Sequence, residues 1–381
     1  MTAAEFDRKA MQRAIDLAWL GQFTTSPNPM VGCVIVKNGE IIGEGYHQKA
    51  GEAHAEVVAL QDCARRCINP RGATIYVTLE PCAHTGRTPP CVDRILAANV
   101  ARVVIALEDP NPKVAGKSIQ RLRDAGIQVD VGLLAEQAEV QNKGFLKRMR
   151  TGRPYVQLKM AMTIDGKTAT ASGESKWITN AQSRQDVQTH RASACAILSA
   201  SGTVLVDNPS LTVRWAELPN ATQARYAEGM LRQPIRIIMD SKHRIRPNLQ
   251  LFDAQSAVWL VGSDSLERDL SAFPAFCSAL QLPSNKPQLL ELMRVLGEKE
   301  INLLWVEAGA NLAGSLISAG VVDELIVYIA PKLLGDQAQG LCHLPDVHTL
   351  AGAPHFTLCS SEIFGDDIKL TYRAKSEDTP C

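Results

Sequence analysis

The stretch HAEVVALQDCARRCINPRGATIYVTLEPCAHTGRTPPCVDRILAANVARVVIAL, His54 to Leu107, decides the fold of the first part of the chain. Ala53 to Cys67 reads as a helix. Ala73 to Leu79 (ATIYVTL) is short, largely apolar and β-branched, the pattern of a buried strand. Val92 to Ala98 returns to helix and Val103 to Leu107 to strand. Strands alternating with helices predict a three-layer α/β domain. The pattern continues outward from this segment. Glu5 to Leu20 predicts an amphipathic helix, and Val31 to Val36 a strand that Asn38-Gly39 turns back into a partner beginning at Ile41-Ile42. Downstream, Ser118 to Ala125 predicts a helix, Val129 to Val131 a strand and Leu134 to Phe145 a closing helix.

The same stretch carries His54-Ala55-Glu56, then Pro81-Cys82, then Cys91. One imidazole and two thiolates hold Zn²⁺ on three sides and leave the fourth position for water, whose pKa the metal lowers towards neutrality. Glu56, two residues after His54 at a helix start, lies near the metal without being a ligand and is placed to shuttle a proton to the leaving amine. A helix beginning at Pro81-Cys82 is expected, because proline suits a first helical turn and the positive helix end favours a thiolate. This is the pattern of zinc nucleobase deaminases, except that eight residues (AHTGRTPP) separate the cysteines where two are usual. A purely structural zinc site would use four protein ligands and have no need of Glu56.

The chain has 381 residues, enough for two domains, and its 40 basic and 40 acidic residues cancel. That balance gives no general attraction to nucleic acid or anionic membrane and favours a small-molecule substrate. No run of about 18 apolar residues predicts a membrane span, and the acidic, amphipathic start is no secretory signal. Ten irregularly placed cysteines read as reduced cytosolic thiols. A cytoplasmic protein is expected.

Lys147 to Pro154 (KRMRTGRP) is the expected domain boundary, dividing residues 1–148 from residues 153–375. A second α/β alternation follows. Strands are expected at Tyr155–Met160, Ala196–Leu198, Ile235–Met239, Val258–Val261, Leu303–Val306, Glu324–Ile329 and Ile368–Tyr372. A helix capped by Asn180 is expected over Gln182–Arg191. Glu217 to Gln233 reads as an insertion loop and Ser376 to Cys381 as a disordered tail. Gly309-Ala310-Asn311-Leu312-Ala313-Gly314-Ser315 lies between a strand and a helix, where backbone N–H groups bind phosphate. Ser315 stands where a P-loop needs lysine, which disfavours an ATPase.

SPNPMVGCVIV (Ser26–Val36), GEGYHQKAGEAHAE (Gly43–Glu56), TLEPCAHTGRTPPC (Thr78–Cys91) and DPNPKVAGKS (Asp109–Ser118) closely resemble the deaminase half of bacterial bifunctional riboflavin biosynthesis deaminase/reductases, with Ser118 where glycine is usual. LKMAMTIDGKTA (Leu158–Ala169), SGESKWIT (Ser172–Thr179) and SGTVLVDNPSLTVR (Ser201–Arg214) resemble the reductase half. The resemblance implies a cytidine-deaminase-like αβα domain followed by a dihydrofolate-reductase-like α/β domain. It implies zinc on His54, Cys82 and Cys91 with Glu56 as proton shuttle, and 2,5-diamino-6-ribosylamino-4(3H)-pyrimidinone 5′-phosphate as substrate, held by Asn28, His47 and Arg87. It further implies NADPH contacts at Ala161, Trp177, Thr203, Asp207, Ser241 and the Gly309–Ser315 turn. Substrate contacts are implied at Ser175, Arg191, Leu211, Arg214 and Glu307, with Arg191 and Arg214 as phosphate clamps and Lys159 polarising the ring oxygen or imine.

Two other classes fit parts of the pattern. A nucleic-acid deaminase with a carboxy-terminal binding domain predicts a basic surface and usually the short cysteine spacing. A metal-stabilised scaffold predicts no NADPH binding. The oligomeric state is open, a homo-oligomer included.

Overall fold

The computed structural model describes residues 2–83, 90–112, 114–265, 267–284 and 288–375. Arg87 and the tail from Ser376 lie outside the described residues. The chain divides into two compact units, Met1–Gly152 and Arg153–Cys381.

The first unit runs α1 (Ala3–Trp19), β1 (Gly32–Lys37), β2 (Glu40–Tyr46), α2 (Ala55–Arg65), β3 (Thr74–Val77), α3 (Cys91–Ala97), β4 (Arg102–Ile105), α4 (Lys117–Asp124), β5 (Gln128–Val131) and α5 (Ala135–Thr151). Thr2 and Glu5 close a capping box that starts α1. The sheet order is β2-β1-β3-β4-β5, antiparallel at β2/β1/β3 and parallel at β3/β4/β5. Alternate residues of each strand feed opposite faces. Cys33, Ile35, Ile75, Val77, Val103 and Ile105 pack against α2, α3 and α4. Val34, Val36, Tyr76 and Val104 pack against α1 and Ala138 of α5. The αβα sandwich expected from the alternation is therefore present. The basic segment expected as a linker is not one for most of its length: α5 continues to Thr151. It stops where Gly152 takes the left-handed conformation (φ 70°) and its N–H bonds Arg148 O.

The second unit is a nine-stranded sheet. In order across it lie β11 (Cys277–Leu282), β10 (Val258–Ser263), β9 (Ile235–Met239), β8 (Ala196–Ala200), β12 (Leu303–Glu307), β6 (Tyr155–Thr163), β13 (Glu324–Ala330), β16 (Asp367–Ala374) and β15 (Phe356–Phe364). The first seven run parallel; β16 and β15 are antiparallel additions. A short ribbon pairs β7 (Lys167–Ala169) with β14 (Gln339–Gly340). The helices are α6 (Ala181–Ser193), α7 (Ser201–Asp207), α8 (Asn220–Gln223), α9 (Gln288–Glu298) and α10 (Ala310–Ser318). Leu292, Met293 and Leu296 of α9 and Leu316 of α10 cover one face. Val187 of α6 and Val204 of α7 cover the other, over Ile197, Trp305 and Tyr328. The stretch Glu217–Gln233, expected as a loop, holds α8 and buries Thr222 and Tyr226. No helix among the described residues is long and apolar enough to cross a membrane.

Candidate active sites

In the first unit, α2 is pressed onto β2. A Cβ on Gly43 would lie 2.5 Å from Ala59 O, and one on Gly45 would lie 2.6 Å from Ala55 O, so only glycine lets the helix come this close. That contact fixes the start of α2, where His54 is the N-cap and Glu56 lies in the first turn. The expected helix start at Pro81-Cys82 is not what forms. Cys82 lies in the loop after β3, and α3 begins at Cys91 with Pro90 as its N-cap. The electrostatic effect nevertheless reaches Cys82, because the Cys91 backbone N–H donates to Cys82 Sγ at 3.2 Å.

The ligand atoms of His54, Cys82 and Cys91 all lie within 4.8 Å of one another. His54 Nδ1 is 3.2 Å from Cys91 Sγ and 3.6 Å from Cys82 Sγ. Glu56 is 3% exposed. Burial pushes its carboxyl pKa up, against the opposing pull of its own backbone N–H and of His54. The hydrogen bond from the Cys91 thiol, and then His54, hold the Cys82 thiol well below its ordinary range, while the same bond and burial push Cys91 up. One thiolate beside an imidazole, with a second thiol a proton away, is a donor set that fits zinc.

His47 is 3% exposed and its ring meets that of His54 edge-on at 5.4 Å. Its Nδ1 lies 3.1 Å from Ala53 O, an acceptor, so Nδ1 carries the proton; Nε2 then accepts from Asn28 Nδ2 at 3.0 Å. Burial lowers the His47 pKa, which favours the neutral ring that this hydrogen-bond pattern uses. Two residues that the sequence did not single out hold this region. Asn142, at a non-helical kink in α5, takes both Met30 N and Met30 O at 2.8 Å, clamping the loop that carries Asn28. Glu80, buried, accepts from the backbone N–H groups of Asp109, Gly116, Ser118 and Ile119 and from Ser118 Oγ at 2.7 Å. That last bond gives Ser118, where glycine is usual, a partner of its own. An acid directly before Pro-Cys was the available signal for Glu80.

In the second unit, the polar residues gather where the parallel strands end, the edge at which open α/β sheets bind ligands. Glu307 ends β12, and the β6 register sets Lys159 opposite it. Arg191 of α6 is 8% exposed. It grips Glu307 with Nε–Oε1 2.6 Å and Nη2–Oε2 2.8 Å, and its Nη1 donates to Thr212 O. Trp305 Nε1 adds a bond to Glu307 at 2.9 Å. The Arg191 fork thus engages Glu307 through both Nε and Nη2. Burial lowers the Lys159 pKa, opposed by Glu307. Arg214 pairs with Glu217 at the surface.

Ser175 Oγ donates to Asp207 Oδ1 (3.4 Å). Trp177 is exposed, with the Arg184 guanidinium 4.7 Å over its ring. Leu211 is buried with φ 52°, Ala161 packs against the core, and Ser241 is exposed. Gly309 is the N-cap of α10 and offers no side-chain cap to the first-turn N–H groups, and a Cβ on it would lie 3.6 Å from Thr203 Oγ1. An uncapped helix start of this kind fits a dinucleotide phosphate. Ala310, Asn311 and Leu312 form that first turn. Ala313 and Gly314 pack inward from it. Ala313 is fully buried in the core, and a Cβ on Gly314 would fall 1.9 Å from His343 O. Ser315 Oγ bonds Asn311 O inside the helix.

Residues 154–370 match the family described as RibD C-terminal domain, and residues 4–107 match the cytidine and deoxycytidylate deaminase zinc-binding region. The chain belongs to the RibD family. It is 60% identical to a riboflavin biosynthesis protein RibD of Haemophilus influenzae over 96% of both chains. It is 54% identical to one of Escherichia coli over 96% of this chain and 98% of that one. Among solved structures it is similar to an Acinetobacter baumannii RibD (41% identity, TM-score 0.88, 98% of this chain and 100% of that one). It is also similar to a diaminohydroxyphosphoribosylaminopyrimidine deaminase/5-amino-6-(5-phosphoribosylamino)uracil reductase of Thermotoga maritima (31%, TM-score 0.86, the same coverage). As a family member it is a bifunctional enzyme of riboflavin biosynthesis, with a zinc-binding deaminase domain and a dihydrofolate-reductase-like, NADPH-dependent reductase domain. Neither a nucleic-acid deaminase nor a scaffold accounts for a match of this length.

Proposed function

We propose that residues 1–148 deaminate 2,5-diamino-6-ribosylamino-4(3H)-pyrimidinone 5′-phosphate and that residues 153–375 then reduce the product to 5-amino-6-(5-phosphoribitylamino)uracil. The observation that carries the reading is the convergence of one imidazole and two thiols beside a buried carboxylate at a helix start. In it, His54, Cys82 and Cys91 hold the metal. Zinc, when bound, supplies the charge that lets water give up a proton near neutral pH. Glu56 takes that proton and returns it to the departing amine, so that ring C–NH₂ becomes C=O and ammonia leaves. Burial, which raises its pKa, suits a carboxylate that must both accept and give. Asn28 reads the ring edge with its amide orientation fixed by His47, and Arg87 faces the ribose or phosphate.

In the reductase, Ala161, Trp177, Thr203, Asp207, Ser241 and Gly309 to Leu312 line the cofactor. NADPH, when bound, supplies the hydride for C1′. Lys159, beside Glu307 and with its pKa lowered by burial, gives a proton to the ribose ring oxygen as the ring opens. Glu307, held by Arg191, and Ser175 and Leu211 shape the substrate pocket, and Arg214 clamps the phosphate. The enzyme works in the cytoplasm on a small phosphorylated pyrimidine, without nucleic acid or membrane. Incubation with the diaminopyrimidinone followed by mass analysis tests the scheme. Without NADPH the substrate should gain about one mass unit, as water adds and ammonia leaves. With NADPH the product should gain about two. An unchanged substrate, or reduction without prior ammonia release, would overturn it.

A further inference from the structure

The segment Ser210 to Arg214 (SLTVR) lies between α7 and α8 and belongs to no strand or helix, yet Leu211, Thr212 and Val213 are buried. Buried backbone outside a sheet or helix still needs partners for its N–H and C=O groups. Here side chains supply them. In an extended chain the N–H and C=O of one residue face one side, and the preceding C=O and following N–H face the other. Val213 N and Val213 O both meet Gln233, at 2.8 Å to Oε1 and 2.8 Å to Nε2. On the opposite side Thr212 O accepts from Arg191 Nη1 at 2.9 Å, and Arg214 N donates to Gln188 Oε1 at 3.1 Å. Gln188 and Arg191 stand at i and i+3 on α6 and so share a face. Ser210 O accepts from the fully buried Arg236 of β9 at 3.3 Å. The segment is thus a short strand whose two neighbours are side chains. That also accounts for Leu211, held at φ 52°, where a leucine stays only if its surroundings fix it.

The amide of Gln233 suits this place because one side chain offers both a donor and an acceptor. It exchanges with Val213 the pair of bonds that a residue on an opposite strand would. It acts where the chain leaves the core and re-enters it: residues 214–232 run out from Val213 through α8 and return at Gln233, just before β9. This grip sets register. Val213 is buried and Arg214, next along, is exposed; a slip of one residue would exchange the two. Gln188 works at the same point from the other side. Besides Arg214 N it holds Glu217 Oε2 at 3.2 Å, and that carboxylate takes Arg214 Nε and Nη2 at 2.5 and 2.6 Å. Two glutamines on opposite sides of the chain therefore place the Arg214 fork, and a clamp already fixed loses less freedom when it binds. We infer that Gln233 is a positioning residue of the reductase: it stands in for a neighbouring strand at Val213 and so fixes where Arg214 meets the substrate phosphate. This rests on Arg214 being the phosphate clamp proposed above.

Reductase kinetics of the full chain at saturating NADPH test it, with the deaminated phosphoribosylamino intermediate and with the same compound lacking its phosphate. The proteins are wild type, Gln233→Leu, Gln233→Glu, Arg214→Ala and the double variant Gln233→Leu/Arg214→Ala. Leucine removes both bonds to Val213, and glutamate sets an anion against Val213 O. Both should raise KM for the phosphorylated compound roughly tenfold, with kcat within about twofold and little change for the compound without phosphate. In the Arg214→Ala background, Gln233→Leu should add less than about twofold, because it acts through the arginine. NADPH binding, followed by nicotinamide fluorescence, should match wild type in every variant. Should Gln233→Leu lose it, Gln233→Glu carries the same comparison; loss in both shows a role in folding alone and overturns the assignment. So does an unchanged KM in both Gln233 variants where Arg214→Ala raises it. Equal rises for the two compounds, or a full further rise in the double variant, also overturn it, since Gln233 would then act independently of the clamp. An unchanged KM in Arg214→Ala takes down the clamp itself, which separates the two failures.

Discussion

Glu307→Gln is the sharpest test of how the reductase site is held together. Burial alone would push this carboxyl up; the Arg191 charge and hydrogen bonds, with Lys159 and the Trp305 indole, override it and hold the pKa at about 2. The fall from an ordinary value of 4.5 is worth about 3 kcal/mol at about 1.4 kcal/mol per unit. The same order follows from removing one partner of a buried ion pair, about 3–5 kcal/mol, because Arg191 would keep its charge with no counter-ion. Glutamine also presents an N–H₂ to a guanidinium that only donates. Urea unfolding followed by tryptophan fluorescence should show the second unit's midpoint falling by about 1 M, taking a slope of a few kcal/mol per M. The sign with pH is set by the depressed pKa. The contribution is complete above the unfolded pKa and is lost as pH falls through the folded one, so the gap between wild type and variant should narrow by about a quarter at pH 4. A midpoint shift below about 0.3 M at neutral pH, or a gap that widens on acidification, would refute the reasoning.

Three further outcomes are expected. Glu56→Gln should keep its zinc, measured by metal analysis, and lose ammonia release by about 100-fold or more; retention of most activity removes Glu56 from the mechanism. Asn142→Ala deletes both bonds to the half-buried Met30 backbone, costing the first unit about 1–3 kcal/mol. Its deaminase KM should rise while NADPH binding stays constant, and a KM equal to wild type would mean the loop holds its shape unaided. Gly314→Ala drives a methyl into His343 O and should destabilise the second unit by about 1–3 kcal/mol. A denaturation midpoint equal to wild type would show that the His343 backbone yields freely.

The convergence of His54, Cys82 and Cys91 could be expected from the sequence because metal chemistry restricts residue type and spacing at once, and those three have few substitutes as a donor set. The start of α3 could not be read. Proline precedes both cysteines, at 81 and at 90, and each satisfies the same first-turn preference, so local propensity does not say on which side of the eight-residue excursion the helix resumes. Glu80 and Asn142 escaped for a different reason. Their partners lie 29 to 39 and 112 residues away, and no periodicity links an acid or amide to a backbone that only the tertiary fold brings near. Strand β15 and the edge strand β11 were missed because their exposed sides carry no alternation for a pattern to show, and α9 and the short helix α7 were missed as well.

The Gly309–Ser315 turn shows where motif reading divides. Glycine after a strand and before a helix has two physical uses: to let a ligand's phosphate near the backbone, or to let another part of the chain near it. Gly309, uncapped and beside Thr203, has the first geometry; Gly314, with the His343 backbone where its side chain would be, has the second. The letters are identical. What distinguishes them is the segment that returns to pack on α10, where His343 N–H bonds Ala310 O, and that return is a property of the fold. The same logic separates Arg191 from Arg214. Both read as guanidinium forks for phosphate, but the strand order puts Glu307 in front of the first and leaves the second at the surface beside Glu217, a carboxylate that an incoming phosphate can displace at small cost because the pair is solvent-exposed.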